Sequence, residues 1–129
     1  MAHRRGRRLS RLISFLPALV WAAAVLSIGS LHSVPHLETP LPADKVAHFG
    51  MYGILGLLAA VGWRRNGRTP AALLVVLLAI SVGVADELHQ RSIPERSAEI
   101  ADLVADIAGV CIGFAAVARY KTAPRTGTE

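Results

Sequence analysis

Apolar residues along this chain fall into four long blocks, each closed by a short polar break. Leu12 to Leu31 is a twenty-residue apolar run, about 30 Å as a helix and so matched to a bilayer's hydrocarbon core. A break with Pro35, Pro40 and Pro42 follows and reads as a loop. The next block predicts a helix from about Lys45 to Trp63. Asp44 either caps that helix or lies in its first turn, where a carboxylate suits the positive end of the helix dipole. Arg64 to Arg68 forms a basic turn, and Thr69–Pro70 supplies an N-cap and an N1 proline for a third helix. That helix is small and apolar from Ala71 to Ala85 and brings Asp86 and Glu87 to the far edge of the hydrocarbon. Residues 91–97, with Pro94, predict a tight loop. Ser97 is a candidate cap for a fourth helix ending near Tyr120. The pattern predicts an all-α fold, a bundle of four transmembrane helices over residues 12–120. A basic tail (1–11) precedes it and a disordered tail (121–129) follows.

Polar residues inside these blocks recur at helical spacing. Glu99, Asp102, Asp106, Gly109 and Gly113 step by three, four, three and four, which puts them on one face of the fourth helix. Gly83, Asp86, Glu87 and Gln90 share a narrow arc of the third. On the second, Asp44, His48, Tyr52 and Leu55 line one side, and Gly50, Gly53 and Gly56 are expected on roughly the opposite side as a packing surface.

Composition supports a membrane protein and charge orients it. The chain has 129 residues, 53% of them hydrophobic, and a formal charge of +5. The basic residues sit beside apolar runs, which is a topology signal and excludes a nucleic-acid patch. Eleven of the fourteen Lys and Arg residues lie in the N-terminal tail, the 64–68 turn and the C-terminal flank. Positive-inside therefore predicts both termini in the cytoplasm, with the acidic constellation opening outward. An Arg-rich flank before an apolar run also describes a secretory signal. This run is longer than a signal core, and Leu31–His32–Ser33 is a poor cleavage site, so an uncleaved first helix is expected. The lone Cys111 excludes an internal disulfide and a thiolate metal site.

The candidate chemistry gathers at one depth. Asp44 and Lys45 stand at the mouth of the second helix with His48 and Tyr52 below. Asp102 and Asp106 descend the fourth helix, and Asp86, Glu87 and Gln90 arrive from the third. Ionisable groups at membrane depth are functional candidates by default. His48, Glu87, Asp102 and Asp106 are the candidate reactive set. Asp44, Lys45, Tyr52, Asp86, Gln90 and Arg96 are the candidate ligand-binding set. The plainer reading is that these groups satisfy one another and fix helix order. Such interhelical pairs average only about 0.6 kcal/mol each, which accounts poorly for so many acids. The set suits a divalent metal such as Zn²⁺ or Mn²⁺, or acid–base work, and spacing decides neither. Two carboxylates one turn apart repel, so Asp102 and Asp106 need a counter-ion. Arg96 is expected in that role ahead of Lys45 or a bound cation, with Asp102 ionised and Asp106 carrying the proton. His32, His36 and His89 are read as surface residues.

These motifs resemble the VanZ-like family of bacterial membrane proteins. The matching pieces are Asp44–Lys45–Val46–Ala47–His48 with Tyr52 and Gly56. Asp86–Glu87–Leu88–His89–Gln90, then Pro94, Arg96, Asp102, Asp106, Gly109 and Gly113, complete the match. Many members of that family carry Asn where this chain has Asp106. The resemblance implies a multi-pass protein of the cell envelope. It is linked to glycopeptide antibiotics only through the founding member's association with teicoplanin resistance, and it supplies no reaction or cofactor.

Three functional readings stand at this point. The first is an outward-facing polar pocket that binds, with or without modifying, a lipid-linked or amphiphilic envelope ligand. The second is a small oligomeric proton- or cation-coupled transporter. The third is a structural membrane module without catalysis. Against the transporter, the cytoplasmic halves of the helices offer no acid or base to continue a relay.

Overall fold

The computed structural model describes residues 12–30, 43–68, 70–93 and 99–120. These residues form four helices, α1 (Leu16–Gly29), α2 (Ala43–Arg65), α3 (Ala72–Gln90) and α4 (Ile100–Arg119), with no strand among them. The expected all-α bundle is the one observed. α2, α3 and α4 are long and apolar enough to cross a membrane, and α1 is a shorter apolar helix of 14 residues. The two tails, the 31–42 break, Thr69 and the Pro94–Arg96–Ser97 segment lie outside the described residues.

The helix boundaries differ from the sequence reading for identifiable reasons. The first apolar run is not one regular helix. Residues 12–15 make a turn closed by the Phe15 N–H on the Leu12 carbonyl, and the regular helix begins only at Leu16. Pro17 is the cause: its ring cannot pass the carbonyl four residues earlier, so it is tolerated only in a helix's first turn. Asp44 belongs to the first turn of α2 and is not its cap. Pro70 is not the first residue of α3, because Ala71 is the N-cap. The Pro70 carbonyl instead accepts a hydrogen bond from Trp63 Nε1 at 2.8 Å.

α2 and α4 run parallel and make the most extensive contact in the bundle. Their contacts climb together, from Lys45 on Asp102 to His48 on Asp106 and then to Arg64 Nη1 on the Val117 carbonyl. Between these points the two backbones touch. A Cβ on Gly109 would lie 2.5 Å from the Phe49 carbonyl oxygen. One on Gly56 would collide with the Val110 backbone, and one on Gly113 with that of Gly53. Helices in lipid gain little from burying apolar surface against each other, so close backbone approach supplies much of their attraction. The second-helix glycines are therefore not set apart from its polar face, as the sequence reading had them. Gly53 and Gly56 meet the same partner helix as Lys45 and His48, since Gly56 stands only one turn beyond Tyr52. Gly50 has nothing within 4 Å and is not at this interface.

α1 and α3 run the other way. Tyr52 meets Asp86 near the end of α3, while Trp63 meets Pro70 just before its start. α1 is tied to α2 by Trp21 Nε1 donating to the Met51 carbonyl at 2.9 Å and by Asn66 Nδ2 on Ser14 Oγ at 2.6 Å. The basic turn after α2 closes on Gly67 and Arg68, both in the left-handed region at φ 63° and 59°. Large aliphatic side chains such as Leu73, Leu77, Leu78 and Ile112 point outward, as lipid-facing residues do. The buried positions are small, aromatic or polar, apart from the aliphatics Val25, Leu55, Val75, Ile93 and Val110.

Glycine contacts of this kind predict a graded response. Gly113→Ala should cost roughly 1–3 kcal/mol through overpacking. Gly50→Ala should be neutral or stabilising by up to about 1 kcal/mol, since it gains helix propensity without a clash. Unfolding of the detergent-purified protein checks both. Equal effects at the two positions would contradict the packing described.

Candidate functional site

Three α2 side chains, each about one turn apart, meet acids from the neighbouring helices. Lys45, nearest the start of α2, donates to Asp102 Oδ1 at 2.9 Å, to Glu99 Oε2 at 2.7 Å and to Asp44 Oδ2 at 3.0 Å. One turn on, His48 Nδ1 lies 2.9 Å from Asp106 Oδ1 in a buried contact. One further turn on, the Tyr52 hydroxyl donates to Asp86 Oδ2 at 3.2 Å. The His48 and Tyr52 rings lie nearly parallel, 10° apart in plane. Helical spacing aligns the α2 side of this ladder, because positions 45, 48 and 52 share a face.

Glycines make room for two of the acids. A Cβ on Gly29 of α1 would collide with the Asp86 carboxylate, and one on Gly83 would lie 3.1 Å from Asp106 Oδ2. Each carboxylate thus packs against the bare backbone of an adjacent helix. The sequence reading found Gly83 on the right arc but missed Gly29. The serine and glycine of Ser27–Ile28–Gly29–Ser30 were the only signal, and they read as part of an apolar run.

The predicted site residues among those described sit in one zone. His48, Glu87, Asp102 and Asp106 are all buried, as are Tyr52, Asp86 and Gln90. Asp44 and Lys45 stand at the rim, exposed and half-buried. Arg96 lies outside the described residues; among those described, Lys45 is the cation on Asp102. His89, read as unpaired, has its Nε2 3.1 Å from Ser30 Oγ.

Not every acid finds a donor among the described residues. Both carboxylate oxygens of Glu87 are buried without a hydrogen-bond partner, and so are Asp86 Oδ1 and Asp106 Oδ2. Leaving such groups unpaired is costly, by about 1–3 kcal/mol each and more when charged. Glu87 stands out because neither oxygen is engaged and the residue is only 6% exposed.

An apolar groove approaches this cluster from the opposite end of the bundle. Of about 230 Å³, it runs between α1, α2 and α3, lined among others by Phe15, Ala22, Leu55, Leu78, Ala79 and Val82. Leu55 and Val82 lie about one turn from Tyr52 and Asp86, so the groove's upper end adjoins the third rung of the ladder.

Comparison with known proteins gives one match. A family model described as VanZ/LLP1 matches residues 4–121, a span that includes all four helices and every rung of the ladder. No curated protein and no solved structure matches the chain.

The ladder predicts unequal roles for the acids around Lys45. Lys45→Gln should lower the unfolding temperature more than Glu99→Gln, because Asp102 is buried and Glu99 is not. In an Asp102→Asn background the cost of Lys45→Gln should shrink. Identical costs in both backgrounds would remove Asp102 as the partner that matters.

Proposed function

The chain belongs to the VanZ/LLP1 family and is a multi-pass membrane protein, and we propose that it binds an amphiphilic, lipid-linked ligand of the bacterial cell envelope. The observation that carries this reading is the contact between two unlike surfaces. An apolar groove ends beside a polar cluster whose carboxylates are buried and not fully partnered. The groove suits an acyl or prenyl chain, and the cluster suits the polar head joined to it. Lipids and lipid-linked envelope intermediates have this two-part chemistry.

The polar end faces outward and both termini are cytoplasmic in this proposal. Support comes from charge: Arg64, Arg65 and Arg68 flank the far ends of α2 and α3, while Asp44, Asp86, Glu87, Glu99, Asp102 and Asp106 gather at the other. The ligand is accordingly one exposed at the outer leaflet of the cytoplasmic membrane. His48, Glu87, Asp102 and Asp106 contact its head, with Lys45 at the rim to meet negative charge, and Asp44, Tyr52, Asp86, Gln90 and Arg96 complete the ligand-binding set.

Two experiments test this reading. A reporter fused at residue 129 should be active only when retained in the cytoplasm, and one inserted in the 31–42 segment only outside. The reverse pattern overturns the orientation. For ligand binding, protein extracted in mild detergent should retain one class of amphiphile beyond its share of the bulk lipid. Ala79→Leu, which fills the groove, and His48→Ala, which removes a polar wall, should each reduce that retention several-fold while the protein stays folded. Bulk lipid in bulk proportions, unchanged by either variant, would sink the proposal.

A further inference from the structure

The unpartnered Glu87 lies where two other ligand-type groups converge. His48, Glu87 and Asp102 each offer an atom such that all three lie within 4.8 Å of one another. They come from three different helices, α2, α3 and α4. We propose that these three residues bind a borderline or hard divalent cation, Zn²⁺ or Mn²⁺, at the polar end of the bundle. The site shares its residues with the ligand-binding reading above, but it stands or falls on its own test.

Four observations carry the proposal. Glu87 is 6% exposed, and neither of its oxygens meets a donor among the described residues. A cation is the partner that engages a carboxylate from inside such a cluster. His48 has its Nδ1 engaged by Asp106 Oδ1 at 2.9 Å, so Nε2 is the ring nitrogen left for a metal. A carboxylate behind the imidazole, fixing ring and tautomer, is the usual support for a metal-binding histidine. Asp102 gives only Oδ1 to Lys45 and keeps its second oxygen. Charge agrees as well. Asp86, Glu87, Asp102 and Asp106 are four buried acids, and among the described residues the ammonium that reaches them, that of Lys45, is shared with Asp44 and Glu99.

Ligand type selects the class of ion. One imidazole nitrogen and two carboxylates favour Zn²⁺ or Mn²⁺ over Mg²⁺ and Ca²⁺, which prefer oxygen alone. Bonds of about 2.0–2.2 Å to a shared ion hold ligand atoms about 3–4 Å apart, a contraction that small side-chain rotations supply. Three protein ligands leave further coordination positions for water or for a ligand's anionic head. A second acidic group, Asp44, Glu99 and Asp102, has similar spacing. It is a poor cation site, because the Lys45 ammonium sits against all three at 2.7–3.0 Å.

The test uses the full chain in detergent, stripped with a chelator and titrated with Zn²⁺ or Mn²⁺ alone, without added lipid. Wild type should take up one equivalent saturably. Glu87→Gln should abolish that uptake, Glu99→Gln should leave it unchanged, and Asp106→Asn should weaken it about 10–100-fold. Spin-echo spectra of the Mn²⁺ form should show coupling to one imidazole nitrogen, lost in His48→Asn. The proposal is overturned if wild type binds neither ion saturably, if Glu87→Gln binds as wild type does, or if the nitrogen coupling is absent. Loss on Glu99→Gln would also overturn it, by moving the ion to the outer acidic group. Since no amphiphile is in the titration, failure here leaves the retention experiment on Ala79 and His48 unaffected.

Discussion

The backbone contact between α2 and α4 is the constraint on which the rest of the structure depends. Gly53 and Gly56 on one helix and Gly109 and Gly113 on the other let two parallel helices touch main chain to main chain. Side chains at those positions would hold the axes apart, and the polar groups nearer the start of each helix would no longer reach one another. A parallel pair in fixed register also makes depth equal on both helices. Lys45 therefore stands level with Asp102, and His48 with Asp106, without any loop to position them. At the other end the same register brings Arg64 to the Val117 carbonyl, so the pair is pinned at both ends by charge-assisted hydrogen bonds.

Much of this was legible in the sequence, because it follows from two periodicities. Apolar runs of about twenty residues disclosed the membrane helices, and the 3.6-residue repeat put Asp102, Asp106, Gly109 and Gly113 on one face. What stayed hidden was pairing across helices. The expectation that set the α2 glycines opposite its polar residues fails because Gly56 is one turn beyond Tyr52, and Gly53 and Gly56 meet α4 as Lys45 and His48 do. The sequence favours Arg96 over Lys45 as the cation for Asp102, because a guanidinium can engage a carboxylate with two hydrogen bonds. Only the parallel register, which no local pattern encodes, put Lys45 there. Gly29 was invisible for the same reason: its importance lies in the Asp86 carboxylate it admits, 57 positions along the chain.

The interior inverts the order of a soluble core. Most leucines and isoleucines cover the outside, while the centre holds small residues, a few aliphatics such as Val25, Leu55 and Val110, two aromatic contacts and a column of acids. In lipid there is little to gain by turning leucine inward, so the interior is free to hold groups that water-soluble folds exclude. That freedom has a condition. Each polar group must find a partner inside the protein, since the hydrocarbon offers none.

α2 supplies those partners in a finite number. Its donors at positions 45, 48 and 52 descend one turn at a time, and each is spent on a separate acid: Asp102, Asp106 and Asp86. The next α2 residues on that face are Leu55, Gly56 and Ala59, which offer no side-chain donor and line or adjoin the apolar groove. Glu87 arrives from α3 at the level of the ladder after every rung is occupied. A module whose polar groups served only to join helices would match donors to acids, and a leucine or alanine at position 87 would complete such a module at lower cost. The surplus acid instead lies beside His48 and Asp102, with one ligand atom from each of the three within 4.8 Å of the others. Among the described residues, α2 engages Asp102, Asp106 and Asp86, and Glu87, the fourth buried acid, is left without a donor.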